Sequence, residues 1–140
     1  DEEYATRMAL DDANAKGVTI NGQKIRFELM SEDDQADPRQ ATIVSQRLVD
    51  AGVKGVVGHV TSGAAIPAAM IYEQAGIPAI TPSATNPKLT QQGYKTAYRV
   101  IANDFQQGEA MAKYAATVLK AKTIAIVDDS GGTLTAPVLE

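Results

Sequence analysis

Apolar residues recur along this chain at two alternating spacings, and the alternation predicts its architecture. Ala5, Met8, Ala9 and Ala13 fall at helical intervals over residues 2–16, with acidic residues in front and Lys16-Gly17 behind, a start and stop matched to the helix dipole. From Gln23 to Met30 the interval changes to two: Ile25, Phe27 and Leu29 alternate with Lys24, Arg26 and Glu28, which predicts a strand. A polar turn, Ser31 to Pro38, follows, with Asp37 placed as an N-cap and Pro38 at the first helical position. The helix it opens lines up Ala41, Val44, Leu48 and Ala51 and stops at Gly52. Val53 to Val60 is short, β-branched and almost uncharged, as in a strand buried on both faces. Thr61-Ser62-Gly63 turns out of it into a helix marked by Ile66, Ala69 and Met70 and ended by Gly76. Ile77 to Ile80 reads as another strand and Thr81 to Pro87 as a loop, with a fourth strand over Ala97 to Ile101. Asn103 or Asp104 then caps a helix whose Phe105, Met111, Tyr114, Ala115 and Val118 are expected to face inward, and Thr123 to Val127 forms a fifth strand.

Helices alternating with short strands imply βαβ units, so the expected fold is α/β: a mostly parallel, doubly wound (Rossmann-like or flavodoxin-like) sheet with helices on both faces. Ligands of such sheets collect beyond the carboxyl ends of the strands. That directs attention to Ser31–Asp37, Thr61–Ala65, Thr81–Pro87 and Asp128–Ser130.

Composition narrows the chemistry. A length of 140 residues suits one compact domain, or one with part of another. Thirteen Lys and Arg against 17 Asp and Glu give a net charge of −4 with no basic cluster, which disfavours nucleic acid. With no Cys there is neither a disulfide nor a thiolate, and the thiols say nothing of redox compartment. No apolar run approaches the roughly 20 residues of a membrane span. Asp1-Glu2-Glu3 is the reverse of a basic signal-peptide start, so any targeting signal is expected outside these residues.

Several groupings bear residue types capable of chemistry. Gly52, Gly55, Gly58 and Gly63 fit neither a dinucleotide fingerprint nor a P-loop, so no nucleotide cofactor is expected. His59 has no acidic neighbour in sequence and reads as a packed core residue, not a catalytic base or metal ligand. Glu32-Asp33-Asp34 lacks the ligand spacing of a calcium loop. Asp128-Asp129 ends an apolar strand in the manner of a Mg²⁺-dependent phosphoacceptor site, similar to response-regulator receivers. It stands near the end of the chain, however, with no later strand to bring the Lys that chemistry needs, and two carboxylates in a solvated turn is the simpler reading. Neither a catalytic residue nor a metal site is therefore expected. The best binding candidates are Ser62 and Gly63 at a helix start together with Ser83, Ala84 and Thr85 in a loop stiffened by Pro82 and Pro87. Their amides and hydroxyls can hold a carboxylate and a main-chain carbonyl can hold an ammonium, although Ser, Thr and Asn also serve simply as caps and turns.

These loops carry a family resemblance. Gly58-His59-Val60-Thr61-Ser62-Gly63, Ile66-Pro67-Ala68, Ile71-Tyr72, Ala75-Gly76-Ile77-Pro78 and Thr81 to Thr90 resemble the branched-chain amino-acid binding proteins of bacterial ABC transporters, periplasmic binding proteins of type I. The match continues through Arg7 to Gly17, Asp34 to Pro38, Tyr98-Arg99-Val100, Gln106-Gln107-Gly108 and Ile124 to Asp129. It implies a two-lobed receptor, periplasmic and working with a membrane permease, that closes on an amino acid. It also implies that Ser62 gives its hydroxyl to the ligand carboxylate, Ser83 its carbonyl to the ammonium, and Thr85 its amide and hydroxyl. Ala64 and Ala65 stand where relatives often have hydroxyl residues. Residues 1–130 correspond to the first lobe, with 103–130 resembling the start of the second, and 131–140 depart from the pattern. The expectation is a single lobe, a fragment or an engineered one, in which amino-acid binding is weak or lost. Thr133 to Leu139 is β-prone and is expected to pair in a hairpin or across a homodimer by strand exchange. The alternative is a self-associating scaffold without a ligand.

Overall fold

The computed structural model describes residues 2–125. The predicted starts and stops are realised at several helices. Helix α1 spans Glu2–Lys16, with Glu2 and Glu3 in its first turn and Lys16 in its last. Helix α2, Pro38–Asp50, is capped by Asp37, whose carboxylate accepts from the N–H groups of Arg39 and Gln40, both at 2.8 Å. Helix α3, Ser62–Ala75, starts on Thr61 and ends on Gly76 at φ 67°, a left-handed conformation open to glycine at little cost. After the single turn of α4, Lys88–Gln91, comes α5, Asp104–Thr117. There Asn103 and Gln106 form a reciprocal capping box.

The strands are shorter than their apolar runs. Strands β3 (Val56–Val57), β4 (Ala79–Thr81) and β5 (Ala97–Arg99) form a parallel sheet in the order β3-β4-β5, with Val57 beside Ile80 and Ile80 beside Tyr98. The expected α/β class with a parallel sheet is present. Of the strand expected over 23–30, only β2 (Gln23–Ile25) is in a ladder, and its partner is β1 (Val18–Ile20) in an antiparallel hairpin. Asn21 and Gly22, at φ 52° and 79°, make the tight turn. An Asn-Gly pair between apolar residues is the sequence signal for such a turn. Past β2, Phe27 donates its N–H to Asn14 Oδ1 at 2.8 Å and accepts from Asn14 Nδ2 at 2.9 Å, so a side-chain amide satisfies the backbone where a neighbouring strand would. Residues 123–125 of the expected fifth strand carry no ladder, and the rest of it lies outside the described residues.

The core lies on one side of the sheet. Ala65 and Ala69 of α3 pack with Ala84 and Leu89, flanked by Ile66, Tyr94 and Ala97. Ala68 and Tyr72 pack with Ala79, flanked by Val49 and Val56. Fully buried Ala41, Ala64 and Ala68 leave no bulk to hold α2 and α3 apart. The opposite face corrects the expectation of strands buried on both sides. Val57 and Tyr98 are about half exposed at 53% and 50%, and the register places both beside Ile80, also exposed. Among the described residues nothing covers this face, because α1 and α5 bury none of their residues. Phe105, Met111, Tyr114 and Val118, expected to face inward, are exposed, as is Met8 of α1. An apolar stripe records the need for a cover and does not identify it.

Candidate functional site

Parallel β3 and β4 release their chains at the same end of the sheet, so the loops 58–63 and 81–87 leave side by side. Hydrogen bonds then stitch them together. Thr81 Oγ1 donates to the His59 carbonyl at 2.8 Å, Ser83 Oγ donates to the Val60 carbonyl at 2.9 Å, and the Asn86 N–H donates to Ser62 Oγ at 3.2 Å. Thr81 is buried, and its oxygen also accepts from the N–H groups of Ser83 at 3.2 Å and Ala84 at 2.9 Å, which folds the second loop tightly around it.

This stitching brings Ser62, Gly63, Ser83, Ala84 and Thr85 into one neighbourhood, each in its own circumstances. Ser62 and Gly63 are the first two residues of α3, so their N–H groups have no carbonyl one turn back and sit at the positive end of a 14-residue helix. Because Ser62 Oγ accepts from Asn86, its own hydrogen remains to be donated. The Ser83 hydroxyl is committed to Val60, which leaves the Ser83 main-chain carbonyl as its acceptor. Thr85 lends its carbonyl to the Asp104 N–H at 3.0 Å, and no bond among the described residues engages its hydroxyl. Ala84 is buried and its amide is spent on Thr81, so it shapes the loop. Arg99 braces the far side, donating to the Asn86 carbonyl and to Thr90 Oγ1, both at 3.2 Å. Half-exposed donors and one carbonyl on a ledge are suited to a small zwitterion.

His59 is buried, as expected of a core residue, but it is not alone. Its Nδ1 lies 2.5 Å from Asp34 Oδ2, and its Nε2 lies 3.2 Å from Ser45 Oγ and 3.1 Å from Tyr72 Oη. The imidazole also stacks on the Tyr72 ring, with centroids 5.9 Å apart. A carboxylate accepts, so Nδ1 carries a proton and donates to it. Asp34 lies 25 residues away in sequence and Ser45 looks like an ordinary helical serine, so local reading missed both. The grouping has the composition of a hydrolase triad, yet Ser45 is 0% exposed and no substrate reaches its oxygen. Burial pushes the Tyr72 hydroxyl above its ordinary value of 10.0, against the pull of its hydrogen bond with Ser45. Burial also raises the Glu2 carboxyl; His59 opposes the shift and Asp34 adds to it.

The acidic turn is occupied by its own loop. Asp33 and Asp34 accept from the N–H groups of Gln35 and Ala36, both at 2.8 Å, and Glu32 pairs with Arg47 at 3.5 Å. Among the described residues no group of three or more His, Cys, Asp and Glu can hold a metal ion, and no helix is long and apolar enough to cross a membrane. Asp128, Asp129 and the tail from Gly131 lie outside the described residues.

Comparison with known proteins gives this ledge a context. An amino acid binding protein of Pseudomonas aeruginosa is 45% identical over 131 residues, 91% of this chain and 34% of its own. The Leu/Ile/Val-binding protein of Escherichia coli is 42% identical over 130 residues, 92% of this chain and 35% of its own. A branched-chain amino-acid transporter substrate-binding protein of Streptococcus pneumoniae, solved with isoleucine, superposes with a TM-score of 0.76 at 34% identity, covering 86% of this chain and 34% of that one. The chain thus spans about a third of the length of the curated relatives it matches. The family model for periplasmic binding proteins matches residues 1–134, and the chain belongs to that family.

Proposed function

We infer that these residues supply one wall of an amino-acid site in a solute-binding protein that serves an ABC-type uptake system. In this reading Ser62 donates its hydroxyl, with the α3 amides behind it, to the ligand carboxylate. Ser83 offers its carbonyl to the ammonium, Thr85 adds its amide and hydroxyl, and Gly63 and Ala84 contribute backbone. The observation that carries the reading is the bond from the Asn86 N–H to Ser62 Oγ, which ties the start of α3 to the 83–86 loop and leaves the Ser62 hydrogen to donate. The names of the relatives, which bind leucine, isoleucine and valine, and the isoleucine-bound neighbour support a branched-chain ligand. The periplasm as its compartment and a membrane permease as its partner belong to the same proposal.

A site that encloses its ligand needs a second wall, and the 140-residue chain tested by itself offers about half of the contacts. Its affinity is expected near millimolar, about 4 kcal/mol of binding free energy. Titration with leucine, isoleucine and valine, followed by amide chemical shifts, tests this. The expected result is saturable shifts at Ser62 and Thr85 that vanish when both become alanine. Micromolar binding refutes the single-wall account, and no shift at tens of millimolar refutes the amino-acid reading.

The exposed row Val57, Ile80 and Tyr98 favours a second reading, in which this polypeptide is a scaffold that associates with another copy through its open sheet face or its tail. A monomeric mass by light scattering across a broad concentration range removes it.

A further inference from the structure

Three loops from distant parts of the chain meet at His59: 31–37, 58–61 beyond β3, and 81–87 beyond β4. One residue touches all three. His59 belongs to the second loop, its Nδ1 donates to Asp34 in the first, and its main-chain carbonyl accepts from Thr81 Oγ1 at the root of the third. Nε2 meanwhile faces Ser45 of α2 and Tyr72 of α3, the helix pair on which the core is built. Each partner also shapes its own loop. Asp34 Oδ1 holds the Ala36 N–H at 2.8 Å, across two residues with positive φ, and Thr81 Oγ1 holds the amides of Ser83 and Ala84.

We propose that His59 is a positioning residue for ligand binding, holding the loops at the spacing at which Ser62, Ser83 and Thr85 face a single bound amino acid. The proposal rests on the reading of those three residues given above, while the linkage through His59 stands on the bonds alone. Apolar packing is not directional, and the small alanine core beneath these loops tolerates sliding. A buried polar network is directional. Displacing any one loop strands a buried donor or acceptor, so the network admits one arrangement of all three. His59 is 8% exposed and acts on the ligand only through the loops it spaces.

The decisive experiment perturbs one loop and observes another. Asp34→Ala removes the link from the first loop, and Asp34 touches no residue of 81–87 in the bonds described. Amide hydrogen exchange of the 140-residue chain is then read at Ser83 and Ala84, with Val44 and Leu48 of α2 as internal controls. The expected result is exchange at least fivefold faster at Ser83 and Ala84, unchanged exchange at the controls, and a leucine dissociation constant raised at least fivefold. Acceleration confined to 31–37, or an unchanged dissociation constant in a variant whose third loop does exchange faster, overturns the proposal. If the unaltered chain shows no leucine binding, the ligand reading falls, and the exchange data still decide the linkage. Should Asp34→Ala fail to fold, the reciprocal pair serves. Thr81→Val is expected to speed exchange at Ala36 and Thr81→Ser to restore it, and the proposal falls if the two behave alike.

Discussion

Ser45 and Tyr72 present two hydroxyls to one nitrogen, and this redundancy predicts a non-additive mutant cycle. Their oxygens lie 3.2 Å and 3.1 Å from His59 Nε2, and each also lies within reach of the other. Nε2 has one lone pair when the imidazole is neutral and one hydrogen when it is charged, so in either state one strong partner satisfies it. Ser45→Ala and Tyr72→Phe each leave the other hydroxyl in place, with little change of volume. Each is expected to cost about 0.5–1 kcal/mol, the net value of one ordinary hydrogen bond. The double variant leaves Nε2 buried with no partner, which adds a desolvation penalty of about 1–3 kcal/mol. The expected coupling equals that added penalty, about 1–3 kcal/mol, well above the scatter of about 0.3–0.5 kcal/mol found for independent sites. Urea denaturation of the four proteins at fixed pH, followed by circular dichroism and compared at equal m, measures it. Losses that simply add refute the shared-partner account and mean that the hydroxyls bond elsewhere.

Two further outcomes follow from the same structure. Leu89 sits 3% exposed among Ala65, Ala69 and Ala84, whose methyl groups are too short to swing into a void, so Leu89→Ala is expected to cost about 3–5 kcal/mol; a loss under about 1 kcal/mol in urea denaturation means the loop collapses onto the gap. Glu73 accepts from Thr96 Oγ1 at 2.7 Å and from the N–H groups of Lys95 and Thr96, both at 3.0 Å, which hold its carboxyl below the ordinary 4.5. A carboxylate lowered in the folded state contributes stability that is complete above the unfolded value and is lost as pH falls through the folded one. Glu73→Gln should therefore flatten the decline in denaturation midpoint below about pH 4.5, and an unchanged acid slope contradicts the role of these three bonds.

What the sequence alone determines is local in origin. Asp37-Pro38, Gly76 and the Asn103-Asp104 pair mark helix ends, because capping involves residues only a few positions apart, and the structure selects Asn103 as the cap. The α/β class and the importance of the loops after the strands followed from the alternation of spacings. Asn21-Gly22 encodes its hairpin turn in the same local manner. Ser62, Ser83 and Thr85 were singled out by residue type and by resemblance, and local pattern alone left them equally suited to capping.

Tertiary structure decided everything that depends on which distant residues meet. Whether the apolar stripes on α1 and α5 are covered is a question about partners, and among the described residues they are not. Val57, Ile80 and Tyr98 likewise read as core in one dimension and are left uncovered by the described residues in three, because α2 and α3 occupy only the other side. His59 shows the difference most clearly. By itself a histidine in an apolar stretch is a packed ring, and only the fold brings Asp34, Ser45, Tyr72 and Thr81 to its atoms from four separate elements. Hydrogen bonds act over about 3 Å of space without regard to the intervening chain, so no spacing along the sequence encodes them.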